Sequence, residues 1–458
     1  MVQRLIVVFA AASCMTEPVE PAPEASTSWP VGIWNGELPA TSSVAAPRGQ
    51  VWMRTAIHVH SPYSHDACDG QGWQPDGLNE ACHADLYRAF CSVRLDAAML
   101  TDHPDYGDTV PLQERLLAGA EMVMRDGSWW GGSWACDGAP HDVWVTTGFE
   151  DTLMPVGLRT EVSPDEARRH DLLNRDDDVA FEAMRAGQGT VMLAHTEGRD
   201  LETLFEYQDR GLQGVEVFNV HAAFSPDIRE EDLGLEPFGW AEGIGPFVQQ
   251  QPGLEPDLLF LSVLEAQTPS LERFDALLAR GPMMPTLGSD AHQNVLPTLL
   301  SDGERVDSYR RTLRFGTTWF LAGERSPQGL DEAVAAGRSH VVFELLGTPR
   351  GFDLALETAG TFVEVGGTGG PGTLVVGCPL LADGSPRGEE DPEIAVRVFR
   401  DGELWAAGCG RHPVGPGVYR VEVHQVPHHL RPFLGDVADL LIVSRPWIIS
   451  GAVHVVEL

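Results

Sequence analysis

From about residue 50 to residue 345 the chain alternates short apolar runs with amphipathic stretches, and this alternation limits the folds open to it. The apolar runs predict strands at Met53–His60, Asp96–Thr101, Val143–Phe149, Thr190–Ala194, Gly214–Phe218, Met283–Gly288, Thr317–Leu321 and His340–Phe343. Helices are predicted at Leu78–Cys91, Val179–Ala186 and Leu271–Ala279, and between Ser326-Pro327 and Gly337. Seven or eight strand–helix units in one block predict a parallel barrel, whose chemistry gathers at the carboxyl ends of the strands.

Side chains of metal-binding types stand at or just past these strand ends. They are His58, His60, His65, His103, Glu150, His195, Asp290 and His292. Residues i and i+2 of an extended strand point to the same face, so His58 and His60 project together. One histidine alone would more often be structural, but six of the 16 histidines at equivalent depth favour a metal centre.

The order and spacing of these motifs resemble the PHP (polymerase and histidinol phosphatase) family over about residues 50–345. The motifs that carry the resemblance are His58-X-His60, His65, Thr101-Asp102-His103, Gly148-X-Glu150, Ala194-His195 and Gly288-Ser289-Asp290-Ala291-His292. The resemblance implies an α/β fold, a distorted (β/α)7 barrel, that holds two or three Zn, Mn or Fe ions. It also implies a phosphoesterase in which a metal-activated hydroxide attacks the phosphorus of a small-molecule phosphate ester.

The resemblance also implies a ligand set. One ion would be bound by His58, His60, Glu150 and Asp290, which are the expected catalytic residues. Glu150 would bridge this ion to a second one, which His195 also binds. A third ion would be bound by His65, His103 and His292. Asp66 and Asp69 are alternatives to His65. Arg199, in the loop after His195, and Glu216 and Asn219, on the fifth predicted strand and at its end, are expected to contact substrate. Asp102 is expected to orient a ligand from behind.

One departure from the family pattern concerns the second ion. Where the family usually has a Gly-His pair after the bridging glutamate, this chain has Gly157-Leu158, and leucine cannot bind metal. His170 or Glu161 could replace the missing histidine as a ligand, although their spacing in the sequence does not support either one. The alternative function is therefore a catalytically impaired metal-binding or ligand-binding surface protein.

The charged residues of the chain make some partners and one alternative activity less favoured. The chain has 67 acidic and 31 basic residues, a net charge of −36 and no lysine. Such acidity disfavours nucleic acid and anionic membranes as partners. A C–N hydrolase on a related metal barrel is less favoured, because those barrels usually carry a bridging lysine or its substitute.

The first 14 residues have the features of a signal peptide, with Arg4 followed by the apolar run Leu5–Ala12. The tetrad Ala11-Ala12-Ser13-Cys14 resembles a bacterial lipobox, which implies lipidation of Cys14 and membrane contact only through that anchor; a plain secretory signal is the alternative. Residues 15–49, rich in Glu, Pro, Ala, Ser and Thr, are predicted to form a disordered tether. The chain is expected at the bacterial cell envelope or in the periplasm.

The remaining cysteines support export, because an even number of them is expected to pair outside the cytoplasm. Cys378 and Cys409 are the two in the last third of the chain and are the expected pair. Cys68, Cys82, Cys91 and Cys136 admit three connectivities.

Residues 346–458 have a different pattern, with short strand signals separated by Gly and Pro. Strands are predicted at Ile394–Arg400, Glu403–Ala407, Val418–His424, Leu440–Ser444 and Ala452–Val456, with Asp401-Gly402 as a hairpin turn. This pattern predicts a small all-β, sandwich-like domain after the barrel.

Overall fold

The protein is a mixed α/β structure built on one large sheet. The computed structural model describes residues 30–457 except 75–76, 108, 117–119 and 137–141. The predicted signal peptide, Cys14 and the first part of the predicted tether lie outside the described residues. Across the described residues, none of the helices is long and apolar enough to cross a bilayer.

The strands, in chain order, are β1 (Val51–Val59), β2 (Trp73–Gln74), β3 (Gly77–Leu78), β4 (Ala97–Leu100), β5 (Glu121–Arg125), β6 (Ser128–Trp134), β7 (Val143–Thr147), β8 (Met154–Val156), β9 (Thr190–Leu193), β10 (Gly214–Asn219), β11 (Met284–Ala291), β12 (Thr317–Ala322), β13 (Ser339–Val342), β14 (Pro349–Arg350), β15 (Asp353–Thr358), β16 (Thr361–Glu364), β17 (Thr368–Gly369), β18 (Gly372–Gly377), β19 (Leu380–Leu381), β20 (Glu393–Arg400), β21 (Glu403–Ala407), β22 (Gly410–Val414), β23 (Gly417–Val426) and β24 (Arg445–Val455).

The helices are α1 (Ala67–Gly70), α2 (Glu80–Ser92), α3 (Pro104–Gly107), α4 (Leu112–Leu116), α5 (Glu166–Leu173), α6 (Asp178–Ala186), α7 (Leu201–Arg210), α8 (Val220–Phe224), α9 (Pro226–Glu231), α10 (Ala241–Val248), α11 (Thr268–Leu278), α12 (Tyr309–Phe315), α13 (Pro327–Ala335) and α14 (Ala438–Leu441). Short 3-10 turns lie at Thr41–Ser43, Pro47–Gly49, Thr196–Gly198, Pro256–Ser262, Glu344–Leu346, His428–Phe433 and Gly435–Val437.

Six parallel strands place their carboxyl ends along one edge of the sheet. β1 lies between β11 and β4, β4 pairs with β7, and on the other side β11 pairs with β10 and β10 with β9. Beyond Val51, every residue of β1 is buried, as expected of a parallel strand that is covered on both faces. The short β8 runs antiparallel to β9, and an isolated bridge joins Leu158, just after β8, to Thr147 of β7.

Local chemistry explains why helix α13 begins where the sequence predicted. The hydroxyl of Ser326 accepts a hydrogen bond from the Gly329 N–H at 3.0 Å, and Pro327 occupies the first helical position. The helix then ends before Gly337, whose φ of +64° suits glycine.

The large sheet continues across residue 345, where the sequence analysis placed a domain boundary. β12 pairs antiparallel with the first half of β1, β13 with β12, and β24 with β13, followed by β23, β20 and β21. A second antiparallel sheet has the order β16-β15-β18-β22. Apolar side chains of β15 and β18 share one core with those of β23 and β24. The turn at Asp401-Gly402 joins β20 to β21, and both turn residues have positive φ.

Leu440–Ser444 is not the strand that the sequence predicted. This stretch begins in α14, where Ala438 and Leu441 are buried and Leu440 is exposed. Burial at a spacing of three residues is helical, and a short apolar run cannot by itself distinguish a strand from a buried helical turn.

Residues 30–49, which composition assigned to the tether, lie against the protein. Leu38 is buried, the Trp34 ring packs edge-on against Phe433 with centroids 5.4 Å apart, and Arg314 donates hydrogen bonds to backbone carbonyls in this stretch. Composition did not reveal this packing because it depends on a few apolar side chains, namely Trp34, Leu38, Ala40 and Val44, and on the distant residues that they contact.

Three disulfides link the cysteines of the described residues. The structure pairs Cys378 with Cys409, the pair expected from the sequence. Among the three connectivities left open for the other four cysteines, it has Cys68–Cys82 and Cys91–Cys136.

Candidate metal centre

The carboxyl ends of the parallel strands bring most of the predicted ligands into one cluster. His58 and His60 come from the end of β1, His195 follows β9, and Asp290 and His292 come from the end of β11. The cluster contains three groups of side chains, and within each group the donor atoms all lie within 4.8 Å of one another. The groups are His58, His60 and Asp290; His58, Glu150 and His195; and His60, Asp66, His103 and His292. Two of these groups share His58 and two share His60, so all three belong to one centre.

The first group has the spacing that a tetrahedral ion requires. His58 Nε2 lies 3.1 Å from His60 Nε2, and Asp290 Oδ1 lies 3.3 Å and 3.5 Å from these two nitrogens. Ligands about 2.05 Å from a tetrahedral ion are about 3.3 Å apart. Three donors therefore surround a position that fits Zn²⁺ or a similar ion.

The second group joins this position to a neighbouring one through Glu150. Glu150 Oε1 lies 3.9 Å from His195 Nε2, and the same nitrogen is 3.4 Å from Asp290 Oδ2. Burial opposes charge on Glu150, but His103 and other histidines outweigh it and lower the pKa of this carboxyl to about 2. Glu150 is therefore ionised at neutral pH.

The third group contains Asp66 where the sequence analysis placed His65. Asp66 Oδ2 lies 3.0 Å from His292 Nε2 and 3.6 Å from His103 Nε2. The Ser64 hydroxyl donates to Asp66 Oδ1 at 2.8 Å and lies 3.1 Å from His60 Nδ1, which fixes the carboxylate toward the cluster. The side chain of His65 is 40% exposed and faces Asp105 at 3.4 Å. Asp69, the other alternative, is paired with Arg305.

Five histidines have a protein partner at Nδ1, and each of them directs Nε2 toward the cluster. The Nδ1 partners are Glu216 Oε1 for His58 (2.6 Å), Ser64 Oγ for His60 (3.1 Å), the Glu150 carbonyl for His103 (2.8 Å), Glu197 Oε1 for His195 (3.1 Å) and the Asp290 carbonyl for His292 (2.6 Å). Such partners fix the orientation of a metal-binding imidazole and raise its basicity. Repetition on five rings from different elements is the arrangement expected of ligands rather than of structural histidines.

The first two histidines differ in their protonation. Burial opposes a charge on His58, but Asp290 and Glu216 outweigh it and raise its pKa to about 9. Burial and the neighbouring His292 lower the pKa of His60 to about 3. The protein alone thus holds His60 neutral and ready to donate a lone pair, whereas His58 must lose a proton to bind metal.

Glu216 and Asn219, expected to contact substrate, lie beneath the ligands and are fully buried. Glu216 Oε2 accepts hydrogen bonds from the His195 N–H and the Asn219 side-chain amide, each at 2.9 Å, while Oε1 holds His58. The polar atoms of both residues are thus used within the protein, where they hold the candidate ligands His58 and His195 in position.

Gly288 leaves the space that Glu216 fills. A Cβ at this position would lie 2.1 Å from Glu216 Oε1 and 2.4 Å from its Cδ. Only glycine fits under the carboxylate in this arrangement.

Asp102 also acts from behind the cluster. Its carboxylate accepts hydrogen bonds from the Ser61 N–H at 2.6 Å and the Ser61 hydroxyl at 2.9 Å, which fixes the turn after His60. Arg199, proposed as a substrate contact, lies in the turn after His195, where its carbonyl accepts a hydrogen bond from Arg273.

Three predicted ligands have left-handed backbone, with φ of +61° at His58, +52° at His195 and +49° at Asp290. The pairing of β1 with both of its parallel neighbours shifts register between Ile57 and Val59, around His58. Such conformations cost about 1–3 kcal/mol each for residues other than glycine. The surrounding packing holds these side chains in directions that a regular strand would not give them.

His221 borders the cluster and was not among the residues predicted from the sequence. It lies in α8 directly after β10, and its Nδ1 is 3.6 Å from Asp290 Oδ2, the same oxygen that faces His195. Its side chain is 46% exposed, so it borders the open face of the cluster. The signal in the sequence is its position, two residues after Asn219 at the end of β10, where other strands carry predicted ligands.

Leu158 supplies no donor, as its chemistry predicted. Its side chain is buried in the core against the positions of Gly187 and Gly189. Glu161 Oε1 accepts the Leu112 N–H, and His170 lies on helix α5. Neither belongs to the three donor groups.

Comparisons with known proteins give distant structural likenesses. No protein-family model matches the chain, and no curated protein matches it. A crystal structure of a two-domain protein from Bacteroides vulgatus ATCC 8482, containing a predicted PHP-like metal-dependent phosphoesterase, aligns over 90% of this chain and 97% of its own at 12% identity, with a TM-score of 0.38. PsfC from Pseudomonas syringae PB-5123 aligns over 62% of this chain and 88% of its own at 13% identity, with a TM-score of 0.32. Likenesses this distant do not assign a function.

Proposed function

We propose that this protein is a metal-dependent phosphoesterase of the PHP type. The observation that carries the proposal is the set of five histidines whose Nδ1 atoms are held by protein groups and whose Nε2 atoms converge with Glu150, Asp290 and Asp66. Imidazoles and carboxylates in shared groups suit two or three adjacent Zn, Mn or Fe ions.

The proposed fold is the distorted (β/α)7 barrel. Its support is the ring of pairings that runs from β7 through β4, β1, β11, β10 and β9 to β8, together with the bridge from Leu158 back to Thr147 of β7. In such a barrel the substrate lies at the carboxyl ends of the strands, where the donor groups are.

The proposed ligand sets follow the donor groups. His58, His60 and Asp290 would hold one ion, Glu150 and His195 a second beside it, and Asp66, His103 and His292 a third. Asp66 replaces His65 in the set that the sequence suggested, because the carboxylate faces inward.

The chemistry of the site divides between the ions and the protein. When bound, divalent ions supply Lewis acidity that polarises a phosphoryl oxygen and lowers the pKa of water. Glu216 and Glu197 hold His58 and His195 in the orientation that directs Nε2 inward. The ionised Glu150 and Asp290 supply the negative charge that retains cations in the pocket.

The test is a double substitution, His58→Ala with His60→Ala. We expect it to abolish both metal uptake, measured by elemental analysis, and hydrolysis of a panel of phosphomonoesters and phosphodiesters. His428→Ala, in the C-terminal half, is the matched control and should leave both unchanged. Full metal content in the double variant would contradict the ligand assignment.

The gap at Leu158 supports an alternative function, a metal-binding protein without turnover. The same experiment separates the two functions. Bound metal in the wild-type protein with no hydrolysis of any ester would favour the binding protein, whereas hydrolysis lost together with the metal would favour the enzyme.

We propose further that the protein is exported and anchored through a lipid on Cys14. Three disulfides support an oxidising compartment. In a bacterial host grown with labelled palmitate, the wild-type chain should take up label and the Cys14→Ser variant should not; equal labelling of the two would refute the anchor.

A further inference from the structure

A recess that is open to solvent lies directly beside the candidate metal centre. Asp290, His292 and His221 form the wall that it shares with the cluster. Its other walls are mainly apolar, formed by Val220, Phe224, Phe260, Leu296 and Val306 among others, and its polar residues away from the cluster include Gln293, Asn294 and Thr312. Any substrate whose phosphoryl group reaches the donor groups from this side brings its organic group into the recess.

The lining carries no arginine among the described residues, and the chain has no lysine. The second carboxylate of the lining, Asp307, is used by the protein: it accepts the N–H groups of Val295 at 2.7 Å and Leu296 at 2.9 Å, and pairs with Arg305 at 2.7 Å. Beyond the two histidines of the wall shared with the cluster, a second anionic group on the substrate would thus find no cationic side chain in the described lining. An uncharged group would find apolar side chains, which gain from being covered.

The aromatic part of the wall is rigid. Phe224 and Phe260 pack edge to face with centroids 5.3 Å apart, and Phe260 in turn contacts Phe315 at 5.5 Å. Since Phe260 is almost fully buried, its ring is held in place by the core. Preformed aromatic walls of this kind suit flat or branched apolar groups.

We infer that the recess binds an uncharged aryl or branched alkyl group of the substrate, so that the preferred esters are monophosphates of apolar alcohols or phenols. This inference rests on the proposed phosphoesterase function and specifies its substrate class. Nucleoside diphosphates and triphosphates and sugar bisphosphates are disfavoured, because the described part of the lining has no arginine or lysine to pair with their additional phosphates.

The test measures binding without turnover. Calorimetry on the metal-loaded protein compares phenylphosphonate with methylphosphonate, which share the phosphonate and differ in the apolar group. We expect phenylphosphonate to bind roughly ten- to a hundredfold more tightly, from the apolar area that the ring covers. Equal affinities, or no binding of either ligand, would overturn the inference.

A pair of leucine substitutions locates the effect. Leu296→Trp fills the recess and should remove most of the preference for the phenyl ligand. Leu299→Trp is the control, because Leu299 lies on the same loop, 56% exposed and outside the recess. An undiminished preference in Leu296→Trp would also overturn the inference.

Failure of the proposed function gives a different result. A protein that binds phenylphosphonate selectively but hydrolyses no ester would refute the phosphoesterase and leave the recess assignment intact. Hydrolysis of aryl and polar esters with equal kcat/KM, together with equal phosphonate affinities, would refute the recess alone.

Discussion

Gly288→Ala should damage the metal centre without touching any ligand. The added Cβ would lie 2.1 Å from Glu216 Oε1, whereas ordinary contacts begin near 3.4 Å, so the carboxylate must move by about 1.3 Å. A long side chain at the surface would simply swing away. Glu216 cannot, because it is fully buried and its two oxygens hold His58, the His195 N–H and the Asn219 amide.

The expected cost has two parts. Overpacking of a tight core costs about 1–3 kcal/mol, and weakening a hydrogen bond to a charged group costs about 1.5–3 kcal/mol. We therefore expect the free energy of unfolding of the metal-free protein to fall by about 2.5–6 kcal/mol. Since His58 loses the partner that orients it, affinity for the ion at His58 and His60 should fall about 10- to 100-fold.

Denaturant unfolding and metal titration measure the two effects. Gly323→Ala is the matched control, because a Cβ there meets nothing within 4 Å, and it should change stability by less than about 0.5 kcal/mol. In a Glu216→Ala background the obstruction is gone, so Gly288→Ala should add little further loss. Unchanged stability and metal affinity in Gly288→Ala, or full additivity with Glu216→Ala, would refute the reasoning.

Three further outcomes follow from the structure. Asp66→Ala should lower metal content by about one ion, whereas His65→Ala should leave it unchanged; the reverse result in elemental analysis would restore His65 as the ligand. His221→Ala should weaken the ion that His195 contacts, measured by titration against a chelator, and an unaltered titration curve would remove His221 from the centre. Burial lowers the pKa of His340 to about 3. Below about pH 6.5 the unfolded chain therefore binds a proton that the folded protein does not. The free energy of unfolding should then fall, as pH drops from about 6.5 toward 3, by up to about 1.4 kcal/mol per pH unit. His340→Leu should flatten this dependence in denaturant unfolding of the metal-free protein, and an unchanged slope would contradict the assignment.

The strands that carry the ligands could be predicted because each is a short, almost continuous apolar run. β4 and β9 lie within one residue of their predicted bounds, and so does β12, which carries no ligand and runs antiparallel to β1. Parallel pairing brings the carboxyl ends of such strands together, so the positions of His60, His195 and Asp290 follow from the pattern. The hairpin at Asp401-Gly402 was equally legible, because positive φ at both turn residues favours that pair.

The choice between His65 and Asp66 could not be made from the sequence. The two residues are adjacent in a turn, and either side chain is a good ligand. Which of the two side chains faces the cluster depends on the hydrogen bonds of Ser64, whose hydroxyl links Asp66 to His60. Turn dihedrals that depend on such contacts leave no periodic pattern.

The short helix α14, which overlaps the strand predicted at Leu440–Ser444, and the packed segment before residue 50 were not predicted, for a related reason. In both, a few buried side chains decide the structure, and their burial depends on distant elements. Trp34 is placed by Phe433, almost 400 residues away in the chain. Composition averages over such contacts and cannot detect them.

The pairing of β24 with β13 has a consequence for how the molecule unfolds. A polypeptide cut after residue 345 would leave the β13 edge without the partners that pair with His340, Val341 and Val342. β13 pairs with β12, which itself pairs with β1, the strand that bears His58. Amide hydrogen exchange should therefore show β1, β13 and β24 exchanging at similar rates in one cooperative unit, with protection in all three rising when metal is added.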